Sequence, residues 1–233
     1  MKTNYDSVTN LFDEFGPHAT TETVLGLSRV KEIISPLSEK IVLDYGCGAG
    51  RFSRLLAAQG AQVMAVDSSY EMIKAALRHG SGGITYKHID TGNLADIKSN
   101  SMDSAVLNFV LCTIASQSEI VGVLKEIHRT LKLGGMCVAL NANWEKCNGR
   151  EFVSFKCPKV EILAPGTEIP VVLKGEKPLI LVDYFWPRKN YIDFFEKAGF
   201  KNVKVEERAA TDDSYPWIDE KEYSPLFIVT GSK

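Results

Sequence analysis

Between Val42 and Phe52 the chain reads VLDYGCGAGRF, with glycines at 46, 48 and 50, Cys47 between two of them, and Asp44 just ahead. Without Cβ atoms, glycines adopt left-handed dihedrals and let backbone approach a ligand closely. A plain turn uses them in the same way, so spacing must decide. A phosphate-cradling GxxxxGK[ST] loop needs a lysine that is absent, and the dinucleotide fingerprint GxGxxG needs glycine where Arg51 stands. The pattern present is Asp44-x-Gly46-x-Gly48-x-Gly50. Asp67 ends the next apolar run, AQVMAVD, and an acid there can accept hydrogen bonds from both ribose hydroxyls of an adenosine ligand. The alternative is a cap on the following helix, a job equally open to Ser68 or Ser69. Asp90, in HIDTGNL with Thr91 beside it, either takes the exocyclic amine of an adenine or closes an Asx turn. Asn108 follows another apolar run and either holds the amino-acid end of a cofactor or closes a turn.

Further along, Asp183, Tyr184 and Trp186 follow the apolar run LILV. Aromatic rings there can wall a pocket for a flat ligand, and Asp183 or Tyr184 can take a proton; the alternative is that they fasten a lid to the sheet. Trp144 and Trp217, in loops flanking strands, are candidates for the same wall. His79, at a helix end, faces the helix dipole. His88 and His128 stand in a strand and a helix, and the four histidines have no metal-ligand spacing, so no metal is expected.

The elements that position these residues follow a rhythm. Strands are expected at 41–45, 61–67, 83–90, within 101–110 and at 136–142. Helices are expected at 51–59, 70–78 and 118–131, the last stopped by Gly134–Gly135. Short apolar strands alternating with helices predict a mainly parallel sheet covered on both faces. Residues 1–18 predict an arm with one or two helical turns, and 20–35 a helix ended by Pro36. From 143 to 187 the rhythm breaks into Gly- and Pro-punctuated extended pieces, FVSFK, VEIL, PVVLK and LILVDYF, which predict an inserted antiparallel lid. A helix at 190–198, strands at 201–207 and 226–230, and a loop at 209–224 complete the chain.

The 233 residues suit one domain. A formal net charge of -2 gives no electrostatic case for a nucleic-acid partner. Five cysteines without a CxxC pair predict a reducing compartment. The polar start Lys2, Thr3, Asn4 predicts no secretory leader, and no apolar run is long enough to cross a bilayer. A cytoplasmic protein is expected.

VLDYGCGAGRF, VMAVDSS, the aspartate in HIDTG, and EIHRTLKLGG before a strand together resemble a class I S-adenosylmethionine-dependent methyltransferase of the small-molecule type. The resemblance covers residues 41–141 and is looser beyond 143, where YFWPRKNYIDFFEKAGF is similar to the late helix of such enzymes. It implies an α/β Rossmann-like sheet of seven strands ordered 3-2-1-4-5-7-6, the last antiparallel, with the 1–35 arm and the 143–187 lid in one domain, 1–233. It implies that the glycine loop, Cys47 included, lies under the methionine and ribose of S-adenosylmethionine. Asp67 with Ser68 would take the ribose, Asp90 with Thr91 the adenine, Asp44 the methionyl amino group, and Tyr5 would place a phenol over the methionine carboxylate. His18, in the arm, becomes a candidate base. Methyl transfer is an in-line displacement achieved mainly by positioning, so no catalytic residue is compulsory. The product would be S-adenosylhomocysteine. After the fourth strand the chain reads NFVLCTI, not an NPPY-type tetrapeptide. That and the lid's size favour a small-metabolite acceptor at O, N or C. Natural-product biosynthesis is expected, by a monomer or homodimer, with no nucleic-acid or membrane partner. A cofactor-binding regulatory subunit that transfers no methyl is the alternative. A nicotinamide oxidoreductase is disfavoured by Arg51 and Asp90.

Overall fold

In the computed structural model, which describes residues 3–233, strands β1 (Ile41–Tyr45), β2 (Gln62–Asp67), β3 (Ile84–His88), β4 (Met102–Asn108) and β5 (Leu131–Ala142) alternate with helices α3 (Arg51–Ala57), α4 (Tyr70–Arg78) and α5 (Gln117–Thr130). Ahead of them lie α1 (Tyr5–Phe15) and α2 (Ser28–Ile34). After them come α6 (Trp144–Cys147), β6 (Phe155–Lys156), β7 (Glu168–Leu173), β8 (Leu179–Tyr184), α7 (Arg188–Lys197), β9 (Lys201–Arg208) and β10 (Leu226–Ser232). Residues 1–2 of the expected arm lie outside the described residues.

The main sheet runs β3-β2-β1-β4-β5-β10-β9. Its first five strands are parallel, while β10 is antiparallel to both β5 and β9. This is the expected order 3-2-1-4-5-7-6. Two apolar layers cover its faces. One joins Leu43, Leu107, Ile120 and Phe194, and the other joins Val30, Val42, Leu56 and Ile228. Because the order reverses between β1 and β4, their carboxyl ends diverge and open a crevice, the place where such sheets bind ligands. A second sheet, β6-β7-β8, is antiparallel throughout. It shares a third apolar cluster with Phe15, Trp144 and Phe152 and roofs that crevice.

Four details depart from the sequence expectation. The arm forms an 11-residue helix rather than one or two turns, opened by the Asn4 side chain accepting the Asp6 N–H. The 20–35 helix begins as a π-helical segment, Glu22–Leu27. And α5 stops at Thr130, so that Gly134 and Gly135 lie inside β5 rather than ending the helix. The ladder to β4 shifts register there, and a Cβ on Gly135 would sit 2.9 Å from the Lys132 carbonyl oxygen; the glycines serve this irregularity. VEIL is not a strand; its residues form part of the connection into β7.

Candidate active site

The crevice is a cavity of about 540 Å³ at the carboxyl ends of β1, β2 and β4, closed from above by α1 and the second sheet. Its two halves are built differently.

On the sheet side, the Gly46 and Cys47 N–H groups donate to the Val66 carbonyl at 2.8 and 3.0 Å, pinning the glycine loop to β2. All three glycines have positive φ, but for different reasons. A Cβ on Gly46 would sit 2.4 Å from Val110 Cγ2, and one on Gly50 would sit 2.4 Å from Tyr86 Oη. The protein's own side chains occupy those spaces. At Gly48 the nearest atom is Phe12 Cε1 at 3.5 Å, so this glycine leaves backbone open toward the cavity.

Asp67 accepts the Gly48 N–H with one carboxylate oxygen and the Ser69 N–H with the other, each at 2.8 Å. A carboxylate has about four acceptor positions, so capacity remains for a ligand. The helix cap itself falls to Ser69, whose hydroxyl accepts the Met72 N–H. Burial raises the Asp67 carboxyl, partly offset by those backbone N–H groups. Asp44 is buried and takes the Ser53 hydroxyl at 2.6 Å, and desolvation pushes it up to about 6. Burial also raises the Cys47 thiol. Cys47, Ser68, Thr91 and Asn108 line the cavity. Both amide atoms of Asn108 are buried with no hydrogen-bond partner among the described residues. Asp90 is exposed and borders a neighbouring hollow of about 210 Å³ instead. Its carbonyl accepts the Asn93 N–H, while the Tyr45 hydroxyl accepts the Gly92 N–H at 2.8 Å and fixes the Thr91 loop. Nothing in the sequence pattern singled out Tyr45.

On the roof side, Phe15, Trp144, Phe155, Val171, Leu173 and Leu181 make an apolar wall. Into it β8 places Asp183, whose carboxyl is pushed up to about 7 by burial, with the Cys112 thiol beside it. Tyr5 also lines the cavity, edge-on to Phe12. Its phenol is raised well above the ordinary value by burial first, then by Asp183, Cys112 and Asp67. Tyr5 therefore stands between the two halves.

Tyr184, Trp186, Trp217 and His18, like Asp90 and Gly50, lie outside the cavity lining. Alternation along β8 puts Leu181 and Asp183 on the cavity face and sends Tyr184 into the main core. Trp186 donates its indole N–H to the Ile114 carbonyl at 3.0 Å and packs edge-on against Phe194. Trp217 lies at a tilt against Tyr215, ring centroids 5.0 Å apart, and packs on the opposite layer. His18 is exposed at the end of a 3-10 turn, Gly16–His18. Conversely, His79 does more than end α4. Its Nε2 meets the Asp13 carboxylate at 2.8 Å, and Asp6 bonds the Ser69 hydroxyl, so α1 is tied to both ends of α4 above the cavity.

A seven-stranded sheet of this order with a glycine-loop cavity at its switch point is the Rossmann-like methyltransferase fold. The family profile "Methyltransferase domain" matches residues 43–139. The chain is 32% identical over 169 residues to N-demethylindolmycin N-methyltransferase of Streptomyces griseus, covering 71% of each chain. It is 32% identical over 114 residues to a ubiquinone biosynthesis O-methyltransferase of Nitrosomonas europaea, covering 48% of this chain and 47% of that one. A solved S-adenosylmethionine-dependent methyltransferase of Mesorhizobium loti superposes with TM-score 0.68 at 19% identity, covering 94% of this chain and all of the other. The chain belongs to the class I S-adenosylmethionine-dependent methyltransferases. As a member of that family it takes S-adenosylmethionine as cofactor and gives S-adenosylhomocysteine as product. Membership replaces the nicotinamide alternative. Among the described residues no helix is long and apolar enough to cross a membrane.

Proposed function

We propose that this methyltransferase acts on a nitrogen or oxygen of an apolar, ring-bearing metabolite held under the second sheet, and that Asp183 receives the acceptor's proton. The observation that carries this is Asp183: a buried carboxyl that β8 brings into the largely apolar roof wall of the cavity. A carboxyl raised to about 7 suits proton transfer near neutral pH.

The sheet side fits the cofactor. Asn108 has unpartnered amide atoms, Asp67 has spare acceptor capacity, and Gly48 leaves its backbone open. Asp67 with Ser68 would hold the ribose, Thr91 and the neighbouring Asp90 the adenine, and Asp44, Asn108 and Tyr5 the amino-acid end, with Gly46, Cys47, Gly48 and Gly50 beneath. The bound cofactor supplies an electrophilic methyl on a sulfonium whose leaving group is a neutral thioether. The chain's work is to align the acceptor atom in line with that bond and to exclude water with α1 and the roof. Asp183 accepts the proton, so that charge balances as the new bond forms. Trp144 and Phe155 flank the acceptor ring. The arm, residues 1–35, and the inserted segment 143–187 act with the sheet as one domain. Five free cysteines suit a reducing cytoplasm, where the enzyme would work as a monomer or homodimer. The S. griseus relative, N-demethylindolmycin N-methyltransferase, supports tailoring of a natural product.

Incubation with S-adenosylmethionine and a panel of aromatic amines, phenols and thiols, read by mass spectrometry, tests this proposal. A methyl gain on an amine or phenol nitrogen or oxygen supports it. Turnover confined to sulfur or carbon acceptors, or to polar aliphatic ones, contradicts it.

A further inference from the structure

Two buried glutamates beside the roof have unequal surroundings. Glu220, fully buried, accepts the Thr21 hydroxyl at 2.7 Å and the Val153 and Ile218 N–H groups at 2.6 and 2.9 Å. It lies outside the cavity lining and ties the arm, the insertion and the 209–224 loop together. Glu22 is only 8% exposed and lines the cavity. Among the described residues it accepts one hydrogen bond from another residue, the Ser154 hydroxyl at 2.5 Å. Arg51 is near enough to favour its charge, yet that guanidinium donates to Thr23 Oγ1 at 2.7 Å instead. Burial pushes the Glu22 carboxyl up to about 7.

A buried carboxyl with unused acceptor capacity is costly unless something else fills it. Glu220 uses both carboxylate oxygens on the protein itself, whereas Glu22 keeps acceptor capacity and faces the space where a ligand sits. Glu22 also opens the π-helical segment, a distortion found frequently at functional sites. Phe15 and Ala19 lie on the same arm, and Trp144 and Phe155 opposite, so the wall near it is apolar.

We propose that Glu22 is a second polar contact for the acceptor, receiving a hydrogen bond from an N–H or O–H group carried away from the atom that is methylated. The acceptor class is then an apolar ring body with a hydrogen-bond donor at each end. This rests on the roof side being the acceptor site.

The test uses two matched pairs of probes, tyramine against 4-methylphenethylamine and tryptamine against 1-methyltryptamine. Each is titrated by calorimetry into the protein saturated with S-adenosylhomocysteine. The wild type should prefer the donor-bearing member of at least one pair by about tenfold, because a site built around a hydrogen bond rejects analogues lacking it. Glu22→Met should erase that preference, and Glu22→Gln, which keeps an acceptor oxygen, should restore part of it. Affinity for S-adenosylhomocysteine should stay within about twofold in both. Equal affinity within each pair for the wild type, or binding of none of the four, overturns the proposal even if a variant fails to fold. Preference surviving in Glu22→Met overturns it, and so does loss of S-adenosylhomocysteine affinity in that variant, which would put Glu22 in the cofactor half. Failure of the wild type to bind S-adenosylhomocysteine at all would instead overturn the cofactor-site reading beneath it.

Discussion

The two halves of the cavity solve recognition by different means. The sheet side is made of strand ends and backbone. Asp67 is fixed by two N–H groups and the glycine loop is pinned to β2. The roof side is made of side chains from short, irregular elements, with Asp183 and Glu22 buried in an apolar wall and only lightly hydrogen-bonded. A half whose few polar side chains are fixed by strand ends and backbone N–H groups presents the same groups to one ligand. A half built from side chains changes its ligand when a few residues change. The same fold therefore keeps its cofactor while its acceptors diverge.

The largest effect that would sharpen this contrast is on the roof side. Asp183→Asn should lower kcat by about 10² to 10⁴ with little change in S-adenosylhomocysteine affinity. The wild-type rate should rise with pH through about 7 as the raised carboxyl ionises, and the variant should lose that limb. A pH profile with and without the substitution checks both. The same raised pKa has a stability consequence. A carboxyl that is more basic folded than unfolded contributes most below the unfolded value, about 4. That contribution is lost as pH rises through about 7, so melting curves between those limits should fall less steeply in Asp183→Asn.

On the sheet side, Asp67→Ala should weaken S-adenosylhomocysteine binding by about ten- to a hundredfold, the scale of one or two lost charge-assisted hydrogen bonds. Smaller again is the difference within the glycine loop. Gly46→Ala combines a positive φ with a Cβ 2.4 Å from Val110 Cγ2 and should cost about 2–4 kcal/mol of stability. Gly48→Ala, with φ +53 but no close neighbour, should cost about 1–2 kcal/mol and act mainly on cofactor affinity. Denaturant midpoints and calorimetry separate the two. Smallest, Trp186→Phe should cost about 1 kcal/mol for the lost bond to the Ile114 carbonyl and leave acceptor preference unchanged. A changed preference would move Trp186 back into the acceptor wall.

How far the sequence could be read follows the same division. The parallel strands and their helices were legible because apolar runs, caps and glycines act locally; Asp44, Asp67 and Asn108 could be placed from strand ends alone. The roof was not, because its pattern is long-range. Tyr184 and Asp183 are neighbours in sequence, and only the register of β8 tells which faces the cavity. Glu22 reads as one more helical residue until Ser154, far along the chain, is seen to meet it. Aromatic content drew attention to Trp186 and Trp217, yet rings are used in cores more often than in pockets. Two of the three loop glycines answer to Val110 and Tyr86 rather than to a ligand, contacts that no local pattern encodes.

Calorimetric titration of S-adenosylhomocysteine into the wild type, Asp67→Ala and Asp183→Asn tests the division of labour most directly. The prediction is micromolar binding that Asp67→Ala weakens at least tenfold and Asp183→Asn leaves within about twofold. Equal weakening by both substitutions, or weakening by Asp183→Asn alone, would contradict the assignment of separate tasks to the two halves.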